Sequence, residues 1–138
     1  MPKPVPPISF RRAEVESKGW GREVKIINNI VGIEEFPRGY AGKLLEYHNS
    51  GSKSSMHAHA VKHETFYILS GFYKFRWIDP TNADVLEKNL TDGDVVVIPP
   101  FNFHQLECLT AGTIIEFSST DYSWDNHRVG KGDSQKVV

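Results

Sequence analysis

The stretch that decides the fold reads Gly51-Ser-Lys-Ser-Ser-Met-His57-Ala-His59-Ala-Val-Lys-His-Glu64-Thr-Phe-Tyr-Ile-Leu-Ser-Gly71. Alternate residues of a strand point to the same face, so His57 and His59 can reach one point from one strand. Glu64 begins the next apolar run, and its carboxylate can reach the same point from there. Two imidazoles and one carboxylate are a donor set that a divalent transition metal accepts with positions left open. The stretch therefore predicts a metal site.

Composition limits the classes of protein to which the chain can belong. Its 138 residues, 39% of them hydrophobic, are enough for one domain with a core. The net charge of -1 gives no reason to expect nucleic acid or an anionic membrane as partner. The single cysteine, Cys108, excludes an internal disulfide framework and fits a reducing compartment. Because the chain has neither an apolar run of roughly 20 residues nor a signal peptide, we expect a soluble cytoplasmic protein.

Short strands separated by turns account for most of the chain. Turn signals such as Ser70-Gly71, Asp79-Pro80 and Asp92-Gly93 separate runs of alternating or β-branched residues. The predicted strands are 23–28, 40–48, 55–59, 64–69, 72–78, 85–90, 95–98, 104–109 and 113–117. No stretch of a dozen residues has a helical period. Short strands with turns about every 8–12 residues predict an antiparallel sandwich or a small barrel.

The two ends of the chain depart from this pattern. Residues 1–10 hold four prolines, which exclude a helix and predict an extended arm. Such an arm either packs across the domain or a partner subunit, or is mobile. We assign residues 1–17 to the arm, 18–129 to a single domain and 130–138 to a loose C-terminal tail.

Two segments of the chain resemble the two motifs of the cupins. Gly51–Gly71 is similar to the first motif at every fixed position, namely the two glycines, the His-x-His pair and the glutamate. Gly93–His104 resembles the second motif, with Pro99 at the expected place between its ends. Phe101 stands where the family often has glycine, and Cys108 where it often has asparagine. Neither position is a ligand in the family.

This resemblance implies a fold and a set of ligands. The fold is all-β, a double-stranded β-helix or jelly-roll barrel, with a metal inside near one mouth. The implied ligands are His57, His59, Glu64 and His104, and the implied cofactor is a divalent transition metal such as Zn, Mn, Fe or Ni. Four such ligands leave one or two positions open on an octahedral ion.

A narrower resemblance covers segments from residue 18 onward. Residues 20–22, 64–71, 98–107, 115–119 and 125–128 are similar to small cupins related to mannose-6-phosphate isomerases, which place a sugar or sugar phosphate over the metal. It implies a metal-dependent isomerase or epimerase in which the ion is a Lewis acid and a carboxylate or lysine moves a proton. Two alternatives stay open: an Fe(II)-dependent dioxygenase, whose donor set is the same, and a non-catalytic sugar-binding protein.

The proton-transfer and substrate-binding residues are candidates of a weaker kind. Glu46, Lys53 and Glu116 are the candidate acids and bases. Arg128 is suited to clamp a phosphate or carboxylate with its planar fork, or else to form a surface salt bridge. Tyr67 is the candidate aromatic for sugar binding.

Other reactive side chains have simpler expected roles. His63 is expected on the face of its strand opposite Glu64, at the surface or behind the ligands. His48 and His127 are expected to face solvent, and Cys108 to act as a small buried hydrophobe. Because small jelly-roll domains leave apolar edges that a partner commonly covers, we also expect a homodimer.

Overall fold

The computed structural model describes residues 4–18, 21–26 and 41–132, and within these ranges the chain is all β. The strands are β1 (Ser9–Arg12), β2 (Glu14–Lys18), β3 (Gly21–Lys25), β4 (Ala41–Tyr47), β5 (Met56–Ala58), β6 (Glu64–Ile68), β7 (Phe72–Ile78), β8 (Val85–Leu90), β9 (Asp94–Ile98), β10 (His104–Thr110), β11 (Gly112–Ser118) and β12 (His127–Gly130). None of the described segments forms a helix that could span a membrane.

Two antiparallel five-stranded sheets make up the domain. One has the order β1-β9-β6-β11-β4 and the other β12-β5-β10-β7-β8, while β2 and β3 pair as a hairpin. Apolar residues from the two sheets pack against each other as the core, which is what a jelly roll requires of alternating strands. The core residues are Phe66, Ile68, Val96, Ile98 and Ile114 from the first sheet and Tyr73, Phe75, Leu90, Leu106 and Cys108 from the second.

Left-handed backbone conformations occur at several of the tight turns. Gly71 has φ of +100° between β6 and β7, and a Cβ there would lie 2.8 Å from the Thr110 carbonyl oxygen. Phe101 adopts φ of 67° although it carries a side chain. The turn that precedes β10 therefore keeps a conformation that suits glycine, at a cost of about 1–2 kcal/mol for a residue with a Cβ.

The nine predicted strands are confirmed, eight of them to within two residues at either end, as β4 to β11. The remaining one, β3, begins two residues before the predicted start at 23, and residues 27 and 28 of that prediction lie outside the described residues. Alternating or β-branched runs between turn residues located these strands, most of which bury one face, whereas β8 is exposed along most of its length. Cys108 lies fully buried in the core, as expected.

Three strands were not expected from the sequence: β1, β2 and β12. Most of their described side chains are exposed, so they lack the apolar alternation that signals a strand. β1 lies at the edge of the first sheet and pairs with β9, and β12 lies at the edge of the second and pairs with β5. Main-chain pairing with a neighbour decides their conformation.

The N-terminal segment expected as an arm is extended and lies on its own domain. Ser9–Arg12 forms β1, and the Asn102 side-chain amide donates to the Pro6 carbonyl oxygen at 2.9 Å. Residues 1–3 of the arm and 133–138 of the expected C-terminal tail lie outside the described residues.

Candidate metal centre

The structure brings together the four residues implied as ligands. His57 lies on β5, His59 directly follows that strand, and Glu64 and His104 are the first residues of β6 and β10. Each offers one ligand atom, and these atoms all lie within 4.8 Å of one another. β5 and β10 are neighbours with His57 opposite His104, so strand pairing places two of the imidazoles side by side.

Main-chain carbonyl groups hold all three imidazole rings. The Nδ1···O pairs are His57–Ser55 at 2.9 Å, His59–Asp125 at 2.7 Å and His104–Asn102 at 2.9 Å. A carbonyl oxygen only accepts, so each Nδ1 carries the proton and donates it. When such a ring is neutral, Nε2 keeps its lone pair and faces the other residues of the cluster, which is the arrangement that a metal ligand requires.

The converging atoms are buried and lack hydrogen-bond partners. Oε1 of Glu64 lies 3.1 Å from Nε2 of His59 and 3.1 Å from Nε2 of His104. Neither contact has hydrogen-bond geometry, and all three atoms are inaccessible to solvent. Leaving buried polar atoms without a partner costs about 1–3 kcal/mol each. Three imidazole nitrogens and one carboxylate oxygen fit a divalent transition metal, which would satisfy these atoms.

Burial and neighbouring charges shift the pKa of three residues of the cluster. Burial, followed by the proximity of His104, lowers the pKa of His57 to about 4, so this imidazole is neutral at pH 7. Burial alone would raise the pKa of Glu64, but His104, His59 and Lys62 hold it well below its ordinary value. Burial alone would likewise lower the pKa of His59, but the Glu64 carboxylate raises it.

A cavity of about 220 Å³ opens beside the four residues. This volume is below the roughly 300–1,000 Å³ of pockets for drug-sized ligands, so it suits a small ligand. One part of the wall is apolar and another is charged or polar. The remaining lining residues are Leu45, Tyr47, Phe66 and Leu106 on the apolar part, and Lys43, Ser54, Lys62, Glu116, Asp121 and Asn126 on the polar part.

Lys62 lies at the centre of the charged part of this wall. Its Nζ is 3.2 Å from Oε2 of Glu116, 3.4 Å from Oε2 of Glu64 and 3.7 Å from Oδ1 of Asp121. Burial alone would lower the pKa of Lys62, but these three carboxylates raise it, so the ammonium group stays charged. Lys43 adds a second cation at the cavity through its contact with Asp121.

Glu116 has the properties of a proton-transfer group. Its Oε2 is buried and makes no hydrogen bond within the described part of the chain. Burial, followed by the negative charge of Glu64, raises the pKa of Glu116. A carboxyl group with a raised pKa can give and take a proton closer to neutral pH than an ordinary glutamate can.

The other candidate site residues lie elsewhere. Glu46 is 62% exposed in its side chain and lies near His48 rather than in the cavity, because Leu45 and Tyr47 take the inward positions of β4. Tyr67 lies between the inward Phe66 and Ile68 and lines a different depression. Lys53 and Arg128 are exposed and are not among the lining residues, although Arg128 lies opposite His57 on β12.

Three histidines lie outside the cluster, two of them exposed and one buried. His48 and His127 are exposed, as expected. His63 was expected at the surface or behind the ligands; it is buried, which excludes the surface, and it is not part of the four-residue cluster. Burial lowers the pKa of His63. Its main chain, rather than strand alternation, determines its position, because it precedes β6 and bonds to Ser119 through both its NH and its carbonyl group.

Lys62 and Asp125 are among the residues of the site that were missed at the sequence level. Lys62 lies in the loop between β5 and β6, where strand alternation does not apply. Asp125 lies in a polar, turn-rich segment. Its role depends on contacts with a loop 63 to 66 positions earlier in the chain. The similarity of residues 125–128 to other small cupins was the one sequence signal that singled out this segment.

Comparison with solved structures identifies proteins of the same fold. The sugar ketoisomerase QdtA from Thermoanaerobacterium thermosaccharolyticum, in complex with TDP, superimposes with a TM-score of 0.64 at 18% identity over 88% of this chain and 87% of that one. ChmJ, a 3'-monoepimerase from Streptomyces bikiniensis in complex with dTDP-quinovose, gives 0.71 at 14% identity over 93% and 72%. RmlC from Legionella pneumophila, a dTDP-sugar 3,5-epimerase, gives 0.67 at 12% identity over 88% and 72%.

Other comparisons found no relatives. No protein-family model matches the chain, and no curated protein matches it. At identities of 12–18% the likeness to the solved structures extends to the fold alone. The chain therefore has the all-β jelly-roll fold of the cupins, shared with these sugar-nucleotide epimerases and ketoisomerases.

Proposed function

We propose that this chain is a metal-dependent isomerase or epimerase that acts on a sugar or sugar derivative. One observation carries the proposal: a small cavity holds four convergent metal-ligand atoms together with a buried carboxyl group of raised pKa. Metal ligands and a proton-transfer group in one cavity are what a shift of a proton between neighbouring carbons requires.

His57, His59, Glu64 and His104 would hold the ion. A divalent transition metal, Zn, Mn, Fe or Ni, would supply a Lewis acid for the oxygens of the sugar carbonyl and its neighbouring hydroxyl. The chain's own contribution is to present three imidazoles whose Nδ1 atoms bond to main-chain carbonyl groups, away from the site, and a carboxylate that stays ionised.

Glu116 and Lys62 would act on the substrate itself. In an isomerisation, Oε2 of Glu116 would take the proton from the carbon beside the carbonyl group and return it to the former carbonyl carbon, while the proton of the neighbouring hydroxyl passes to the former carbonyl oxygen. The Lys62 ammonium group, 3.2 Å from that oxygen, would hold a substrate oxygen and stabilise negative charge as it develops. The cavity excludes bulk water from both groups, because each is almost completely buried.

The size and polarity of the cavity favour a sugar ring as the group that enters it. A cavity of about 220 Å³ admits a single sugar ring, and its wall combines apolar side chains with charged ones. Three proteins of the same fold are sugar epimerases or a sugar ketoisomerase. Their structures hold dTDP-quinovose, TDP and dTDP-4-keto-L-rhamnose. A sugar phosphate, as in the mannose-6-phosphate isomerase resemblance, is the other form of the same substrate class. Assembly as a homodimer and a cytoplasmic location remain predictions.

Two measurements on the purified protein test the proposal. Elemental analysis should find a divalent transition metal bound to the chain. With that metal restored, NMR in D₂O should show interconversion of an aldose, a ketose or an epimer within a panel of free sugars, sugar phosphates and dTDP-sugars, with deuterium entering the carbon beside the carbonyl group.

The outcomes separate the three candidate functions. Product formation without oxygen uptake supports the isomerase or epimerase. Oxygen consumption linked to substrate loss would favour the Fe(II)-dependent dioxygenase, and saturable binding without product across the panel would favour the sugar-binding protein. A chain that binds no metal contradicts the proposal.

A further inference from the structure

The loop between β5 and β6 is held by one buried side chain from the C-terminal part of the domain. The carboxylate of Asp125 accepts hydrogen bonds from the main-chain NH groups of Ala60 at 2.7 Å, Val61 at 3.1 Å and Lys62 at 2.9 Å. Asp125 is 1% exposed, and His127 Nε2 lies 3.6 Å from its Oδ1. Burial alone would raise the pKa of Asp125, but the three main-chain donors lower it. The carboxylate is therefore an anion, and the amides of the loop supply its hydrogen bonds.

The main chain of the same residue orients a metal ligand. The carbonyl oxygen of Asp125 accepts the proton of His59 Nδ1 at 2.7 Å. Asp125 therefore forms hydrogen bonds to four consecutive residues, 59 to 62, through its side chain and its main chain. The first of these is a ligand and the last is the lysine at the centre of the cavity's charged wall.

We propose that Asp125 is a positioning residue of the metal centre, which holds the β5–β6 loop by its carboxylate and the His59 imidazole by its carbonyl group. The inference rests on the proposed function and deepens it. Without the carboxylate, three amides of the loop lose their buried acceptor, and the main chain at 125 loses the anchor that keeps its carbonyl group aimed at His59. Partners of this kind commonly change metal affinity about 10–100-fold when removed.

The chain contains a matched control for this role. Ser119, which is fully buried, accepts the main-chain NH of His63 with its Oγ at 3.0 Å. The contact is again from a buried side chain of the C-terminal segment to an amide of the same loop, but no bond from Ser119 to His59 is present among the described residues. Ser119→Ala loosens the far end of the loop and leaves the imidazole support in place.

The test compares Asp125→Asn and Ser119→Ala with the wild type. Asparagine keeps the volume of the side chain but turns one acceptor into a donor that faces an amide NH. We expect Asp125→Asn to weaken metal binding, measured by chelator competition, about 10–100-fold. We also expect it to change the visible absorption spectrum of the Co²⁺-loaded protein, which reports the ligand arrangement. Ser119→Ala should keep wild-type affinity and spectrum even where both variants unfold at lower urea concentration.

The outcomes distinguish failure of the Asp125 inference from failure of the proposed function. Wild-type metal affinity and an unchanged Co²⁺ spectrum in Asp125→Asn would overturn the inference alone, whereas a wild type that binds no metal would overturn the proposed function as well. If Asp125→Asn does not fold, NMR of the wild type decides. A His59 ring protonated at Nδ1, with slow hydrogen exchange at the amides of 60 to 62, supports the inference. Exchange at the rate of an unstructured peptide overturns it.

Discussion

Nζ of Lys62 lies 3.2 Å from Oε2 of Glu116, with both side chains almost completely buried in the wall of the cavity. The same ammonium group is 3.4 Å from Oε2 of Glu64, so it links the proposed proton-transfer group to a proposed metal ligand. Two carboxylates can remain close together in a buried site only if their charges are compensated. Lys62 therefore compensates the negative charges of both Glu116 and Glu64.

Replacing Lys62 by methionine removes this compensation. Because Glu64 then loses its lysine partner and Glu116 keeps only Lys43, at 3.8 Å, we expect Lys62→Met to lower the free energy of unfolding of the metal-free protein by about 3–5 kcal/mol. Urea denaturation at pH 7 measures the change. Lys43→Met is the control, since Lys43 is 42% exposed and an exposed pair contributes about 0–1 kcal/mol. Equal losses in the two variants would contradict this account of the cluster.

Two of the proposed ligands can be removed together to test the metal centre. The variant His57→Ala with His104→Ala loses two of the four converging side chains, and we expect its metal content after dialysis to fall from about one ion per chain to a trace. Elemental analysis checks this. His48→Ala, at an exposed histidine outside the cluster, should retain the wild-type content. Full retention of metal by the double variant would refute the assignment of the ligands.

Glu116 should be required for turnover but not for binding the metal. Glu116→Gln keeps the shape of the side chain and abolishes its proton transfer, so we expect kcat to fall about 10²–10⁴-fold with metal content unchanged. The NMR assay in D₂O provides the measurement. Glu46→Gln is the matched control, because Glu46 is an exposed glutamate outside the cavity. Loss of activity in the control, or full activity in Glu116→Gln, would remove Glu116 from the mechanism.

The stability of the metal-free protein should depend on pH through His57. Its pKa is about 4 in the folded chain and about 6.5 in the unfolded chain, so the unfolded state binds the proton first as the pH falls. His57 therefore stabilises the fold above pH 6.5, and this contribution is lost between pH 6.5 and about 4. We expect a loss of roughly 3 kcal/mol over that window.

A difference measurement isolates this effect, because the raised pKa of His59 acts in the opposite direction. The free energy of unfolding is measured against pH for the wild type and for His57→Gln. The wild type should lose more stability than the variant between pH 6.5 and 4. Parallel curves would show that His57 does not titrate as described.

The left-handed conformation at Phe101 should be relieved by glycine. Phe101 has φ of 67° and is 59% exposed, so its ring contributes little to the core. Phe101→Gly and Phe101→Ala both remove the ring, but only alanine keeps the Cβ that is strained in this conformation. We expect the glycine variant to be about 1 kcal/mol more stable than the alanine variant in urea denaturation. Equal stability would show that the turn is not strained.

Strands that bury one face could be predicted from the sequence, whereas three mostly exposed strands, β1, β2 and β12, could not. Phe66 and Ile68 of β6 alternate with the outward Tyr67, and this pattern survives without any knowledge of neighbours. β12 has exposed residues along most of its length and becomes a strand because β5 offers it main-chain partners. The face that β4 turns inward also depended on register, which is why Glu46 was a candidate and Leu45 was not. A shift of one residue would exchange the two faces.

The sequence by itself determined most of the strands, the candidate ligand types and the spacing that allows His57 and His59 to reach one point. These are local properties, because they follow from the alternation of side chains along an extended chain. The tertiary structure alone decided that Lys62 faces Glu116, that Glu46 lies outside the cavity and that Asp125 supports His59. These relationships join segments far apart in the chain. They arise from sheet register and from the need to satisfy buried main-chain donors, neither of which is encoded in the spacing of residues.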